Sequence, residues 1–164
     1  MSLIKMKKLF EIKKFYSLIF TICIVTLLSV VYIEYALNQK PCKLCIYQRL
    51  PYLAAIFICF FGYNYFKNLF WIYLLAITFF LSLIISGYHV GIENDFFKEF
   101  SGCTNENLDI TDKSKILESL KEVVPGCKDI GFKIFGLSLA TINFMISLII
   151  SAISILIIKN EKNK

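Results

Sequence analysis

The chain has 164 residues, 57% hydrophobic and 18% charged, with 18 Lys and Arg against 12 Asp and Glu for a net charge of +6. A soluble domain is nearer half apolar and about a quarter charged, so a mean hydropathy of +0.67 excludes an ordinary soluble domain. Charges are sparse in four stretches, about 15–35, 46–66, 69–90 and 134–158, each close to the ~20 residues needed to cross about 30 Å of hydrocarbon.

The first span follows the basic stretch K-M-K-K-L-F-E-I-K-K, residues 5–14. Its apolar run exceeds a signal-peptide core, and no A-x-A-like site follows in Y-I-E-Y-A-L-N-Q, so an uncleaved span is expected. A short outer loop, 36–45, leads to the second span, and a tight turn at Lys67-Asn68 makes the second and third spans neighbours. The long outer loop, 91–133, holds six lysines against nine acids. Within it, D-K-S-K-I-L-E-S-L-K-E-V-V-P-G reads as a short amphipathic helix, with Ile116, Leu117, Leu120, Val123 and Val124 at helical spacing. Thr111 or Asp112 is its N-cap and Pro125-Gly126 its stop, while the preceding S-G-C-T-N-E-N-L-D reads as irregular. The expected architecture is an all-α membrane protein: one domain, 1–164, an antiparallel four-transmembrane-helix bundle with one short and one long outer loop.

Lysine density orients it. With both termini inside, Lys5, Lys7, Lys8, Lys13, Lys14, Lys67, Lys159, Lys162 and Lys164 crowd the cytoplasmic ends, and the other nine basic residues are spread over roughly twice the length. The net charge therefore reports membrane orientation. No basic face or aromatic-basic platform points to a nucleic-acid partner.

This orientation puts Cys42, Cys45, Cys103 and Cys127 outside, in an oxidising periplasm if the cell is a bacterium. Cys23 and Cys59 fall mid-span, and Cys59 lies about 20 Å below Cys45 at 1.5 Å per residue. They read as small buried hydrophobes. Three readings compete for the outer four. Zinc wants four ligands, usually as two close pairs, and Cys103 and Cys127 are far apart in sequence. Static staples suit a Cys103–Cys127 bridge, worth roughly 3 to 4 kcal/mol, but a Cys42–Cys45 bridge closes almost no loop. A bond that adds little stability is suited to being opened and closed, so redox activity is the better reading of C-x-x-C. Cys45 sits near the start of the second span, where free N–H groups favour a thiolate. Arg49, four residues on, either snorkels to headgroups or supports the Cys45 thiolate and hydrogen-bonds the oxygen of an electron acceptor. Pro51 interrupts the helix there.

P-C-K-L-C-I-Y-Q-R-L-P (41–51) closely resembles the signature of the DsbB family, inner-membrane quinone reductases that reoxidise the periplasmic thiol oxidase DsbA. G-Y-H-V-G-I-E (87–93) resembles the family's Y-H-x-G-V-E. P-G-C-K-D-I-G-F-K-I-F-G-L-S-L-A-T-I-N (125–143) is similar to its loop cysteine followed by F-G-L-S-x-A-x-x-N. Phe132 and Ile142 stand where members have, usually and often respectively, Trp.

The resemblance implies a relay and a location in the bacterial inner membrane. A reduced DsbA-like, thioredoxin-fold partner attacks a Cys103–Cys127 disulfide, with Cys103 forming the mixed disulfide. Electrons pass to Cys42–Cys45, with Cys42 contacting the loop cysteines. Cys45 then donates to a bound quinone, ubiquinone or menaquinone, whose oxygen Arg49 polarises. No metal is implied. Tyr47 and Phe132 are expected at the quinone wall. His89, the chain's one histidine, is either a structural hydrogen-bonding residue or a proton donor beside the quinone, with Glu93 as partner. Two other architectures of function stand against this: a scaffold with inert stapled loops, and a thiol conductor exporting reducing power through Cys23 and Cys59.

Overall fold

A computed structural model of the protein describes residues 3–98, 126–128, 133–134 and 136–162. The expected helix at 112–124, Cys103 and Phe132 lie outside the described residues. In hydrocarbon every backbone N–H must be satisfied within its own segment, so long apolar runs become helices. They do so as α1 (Leu3–Ala36), α2 (Lys43–Tyr47), α3 (Arg49–Asn64), α4 (Phe70–Glu93) and α5 (Leu139–Lys162). The stretches Glu11–Ala36, Lys43–Asn64, Phe70–Glu93 and Leu139–Lys162 are each long and apolar enough to cross a membrane. The protein is an all-α four-helix membrane bundle.

The second span is α2 and α3 in series, interrupted at Gln48. Pro51 has no N–H to offer the Tyr47 carbonyl, and the break falls within the turn before it. Gln48 keeps helical dihedrals (φ −67°, ψ −14°), so the span continues past the interruption. A five-residue turn, 65–69, joins α3 to α4, with the Phe70 N–H donating to Asn68 Oδ1 at 3.0 Å.

The fourth helix begins at Leu139, where the hydropathy alone starts a span near 134. Residues before it form a small antiparallel hairpin, β1 (Lys133–Ile134) and β2 (Leu137–Ser138), in register Lys133↔Ser138 and Ile134↔Leu137. Gly136 turns this corner at φ +82°, a conformation open to glycine and costly for most residues. Ser138 then starts α5, its Oγ accepting from the Thr141 N–H at 3.1 Å.

α4 packs mainly on α5, α1 on α3, and α3 on α4. The central core joins Tyr16, Ile19 and Cys23 of α1 to Tyr52, Ala55 and Cys59 of α3, Ile72, Leu75 and Phe79 of α4, and Ile150 of α5. Cys23 and Cys59 are buried there as free thiols. Lipid tails are as apolar as leucine, so association relies on close packing and interhelical hydrogen bonds. The α4–α5 seam accordingly carries Ser82, Ser86, Ser147, Ser151 and Ser154, all buried, and the Ser82 and Ser147 hydroxyls are hydrogen-bonded to each other at 2.9 Å. Large apolar side chains such as Leu28, Phe57, Phe80 and Leu156 instead face outward.

Candidate functional site: a thiol pair between a loop cysteine and a cavity

After α1 the chain reverses through Asn38, at φ +51°, and Pro41 delivers Cys42 to the start of α2. Cys42 is the N-cap: its backbone is extended, and its Sγ accepts from the Cys45 N–H at 3.2 Å. The free amide expected to favour a Cys45 thiolate is thus taken by Cys42, because α2 begins at Lys43, earlier than expected. The two sulfurs lie 2.7 Å apart, and a small side-chain rotation closes them to a bond of about 2.0 Å. The Cys42 thiol is lowered from 9.0 to about 5 by the hydrogen bond with the Cys45 thiol, then by His89 and the Cys45 amide; burial opposes this.

His89 of α4 meets the pair from the other side. Its Nε2 lies 3.7 Å from Cys42 Sγ, 3.2 Å from the Cys127 carbonyl oxygen and 3.8 Å from Glu93 Oε1. Cys127 is held in a disulfide and packs in one buried cluster with Cys42, Leu44 and Ile92, flanked by Cys45 and Tyr88. Glu93 accepts from Ser138 Oγ at 2.5 Å, tying the end of α4 to the hairpin.

Behind His89 runs a buried polar chain. Gln48 Nε2 donates to His89 Nδ1 at 2.9 Å, and Gln48 Oε1 accepts from Asn143 Nδ2 at 2.9 Å. Asn143 Oδ1 accepts from the Tyr52 hydroxyl at 2.6 Å and from Ser147 Oγ at 3.2 Å. Two hydroxyl donors at Oδ1 orient the Asn143 amide, and that in turn orients Gln48.

The thiol pair also lines a cavity of about 580 Å³ between α1, the loop at 38–42, α2–α3 and the start of α5. This lies within the range of small-molecule sites, roughly 300–1,000 Å³. Its apolar wall includes Val30, Ile33, Ile142 and Ile146. Its polar wall carries Arg49, whose Nη1 donates to Glu34 Oε2 of α1 at 2.7 Å. A guanidinium at this depth needs a partner, and Glu34 is that partner. The residue range and hydrogen bonding therefore place Cys42, Cys45, Arg49 and His89 around one space. Tyr47 is exposed and is not among the residues lining it.

Donor atoms of Cys42, Cys45 and His89 lie within 4.8 Å of one another, a grouping that invites a metal. Two thiolates on one tetrahedral zinc, with bonds of about 2.3 Å, stand about 3.8 Å apart. The observed 2.7 Å between sulfurs suits a disulfide better.

The profile of the family described as disulfide bond formation protein DsbB matches residues 12–157. The chain belongs to the DsbB family. It is a multi-pass membrane protein of disulfide bond formation. The DsbB match takes in most or all of each span and Cys42, Cys45, Cys103 and Cys127. The chain is also 28% identical, over 134 residues, to the uncharacterised protein RP370 of Rickettsia prowazekii (strain Madrid E), across 78% of this chain and 77% of that one.

Four site residues escape the DsbB motif reading: Glu34, Gln48, Tyr52 and Asn143. The available signal was polarity out of place. An amide or carboxylate within an apolar span is costly unless it has a partner, and both Gln48 and Asn143 stand inside quoted motifs.

Proposed function

We propose that this protein reoxidises a periplasmic DsbA-like thiol oxidase of thioredoxin fold and passes the electron pair to membrane quinone. The observation that carries it is the double placement of Cys42–Cys45: against Cys127 on one side, on the wall of a mostly apolar cavity on the other. A pair that touches a loop disulfide and a lipid-soluble acceptor's pocket links the two.

The electrons balance in three exchanges. The partner's dithiol opens the Cys103–Cys127 disulfide, with Cys103 forming the mixed disulfide, and leaves oxidised. The loop dithiol then opens Cys42–Cys45 by attack at Cys42, which expels Cys45. When the second loop thiol closes the loop disulfide again, Cys42, whose sulfur ionises readily, is the leaving group. The reduced pair closes again, with Cys45 at the cavity giving up two electrons and the pair two protons. A quinone held in this cavity would supply the two-electron, two-proton acceptor. Arg49, held by Glu34, orients the acceptor's oxygen, and His89 holds a proton at Nε2 beside the sulfurs. Tyr47 stands exposed outside the cavity wall and is assigned no contact with the acceptor. The termini face the cytoplasm and the thiols the periplasm of a bacterial inner membrane. Nucleic acid and metal have no part.

The test is quinone reduction by detergent-purified protein with a reduced DsbA-like donor, comparing wild type, Cys45→Ala and Cys103→Ala. Turnover in wild type and a loss of at least a hundredfold in both variants is expected. A wild type silent with ubiquinone and menaquinone analogues, beside an active control, would leave a stapled scaffold.

A further inference from the structure

The chain Tyr52/Ser147–Asn143–Gln48–His89 is buried throughout and spans α3, α5, the α2–α3 break and α4. Each group in it has a defined donor or acceptor role. With Oδ1 of Asn143 committed to hydroxyl donors, its Nδ2 faces Gln48 Oε1, and Gln48 Nε2 faces the ring. A neutral imidazole carries one proton. If Nδ1 accepts, that proton is on Nε2, the nitrogen that faces Cys42 Sγ and the Cys127 carbonyl. A hydrogen-bonding partner behind a histidine selects what its other nitrogen offers.

We propose that Gln48 and Asn143 are positioning residues, which hold His89 as an Nε2–H donor to the Cys42 sulfur and so let α5 set how readily that thiol ionises. The inference deepens the redox reading of Cys42–Cys45 and rests on it. The other ionisable groups facing Cys42 and His89 are Cys45 and Glu93, with Glu34, Arg49 and Lys40 along the cavity; none of them contacts His89 Nδ1 in the described residues. Removing Asn143 frees Gln48 to present its oxygen to Nδ1. The ring proton then moves to Nδ1, and Nε2 becomes an acceptor facing a thiolate.

The experiment measures the pH dependence of iodoacetamide labelling at Cys42 in the reduced full-length protein, with the adduct located by peptide mass mapping. Asn143→Leu and Gln48→Met are expected to raise the half-point by about one unit, a tenfold lower thiolate fraction on the acid side. In the double variant the shift equals that of Gln48→Met alone, because Asn143 acts only through Gln48. Gln48→Glu still accepts from Asn143 Nδ2 but replaces the donor to Nδ1 with a carboxylate acceptor behind the ring, an arrangement that stabilises imidazolium; the half-point falls instead. A residue that only supports packing would not reverse the sign. Unshifted profiles in the single variants, additive shifts in the double, or a rise with Gln48→Glu would each overturn the proposal. If Asn143→Leu fails to fold, the opposed signs of Gln48→Met and Gln48→Glu decide. Labelling reads the thiol without quinone, so absent turnover with shifted profiles would sink the functional reading and leave the positioning role standing.

Discussion

Cys42 and Cys45 are three residues apart yet chemically unlike, because only Cys42 stands at the helix cap with His89 beside it. Its thiol is lowered to about 5, first by the hydrogen bond with the Cys45 thiol and then by His89 and the Cys45 amide, so it is ionised above that pH and protonated below. In the reduced wild type, Cys42 alkylation is expected to be flat above about pH 6 and to fall tenfold per unit below 5; a half-point near 9 would refute this account. The C-x-x-C spacing was legible from sequence, and so was the need of Arg49 for a partner. The identity of that partner was not. Glu34 is fifteen positions away, at the end of another span, and only the packing of α1 against α3 brings it to 2.7 Å. Gln48 and Asn143, ninety-five positions apart, are invisible as a pair for the same reason.

Elements were easier to read than their edges. Hydropathy marks a span because lipid imposes a length, but a cap depends on one side chain and its backbone angle. Hence α2 starts at Lys43 and α5 at Leu139, each a few residues from where apolarity begins. At the α1–α3 contact the packing is set by one glycine. A Cβ on Gly62 would stand 2.5 Å from the Tyr16 ring, and Tyr16 is fully buried. Gly62→Leu is therefore expected to push α1 from α3 and destabilise the bundle by about 1–3 kcal/mol, read as a lower thermal midpoint in detergent. An unchanged midpoint would mean that the ring swings away freely. Cys23 and Cys59 occupy the same core. Cys23→Ala with Cys59→Ala should leave quinone turnover within about twofold while lowering stability, each change removing one small buried side chain; loss of turnover would revive the thiol conductor.

For the whole molecule, the apolar exterior and the concentration of lysine at one end decide how it sits. Lys13 stacks over the Phe66 ring at 4.4 Å and the Tyr63 ring at 5.3 Å, at the end of the bundle remote from the thiols. In intact cells a membrane-impermeant maleimide is expected to label Gln39→Cys, and to label Asn68→Cys only after lysis. The reverse pattern would invert the orientation.

The serine seam between α4 and α5 has a consequence for biogenesis. α4 ends at Glu93 and α5 is not finished until Lys162, an interval on the order of 3 to 14 s at ordinary synthesis rates. Throughout it, the face bearing Ser82 and Ser86 has no α5 to cover it. A nascent chain paused in that interval shows lipid a stripe of hydroxyls, which an insertase must shelter and a membrane protease can recognise. Synthesis of α5 thus removes the mark of an unfinished seam.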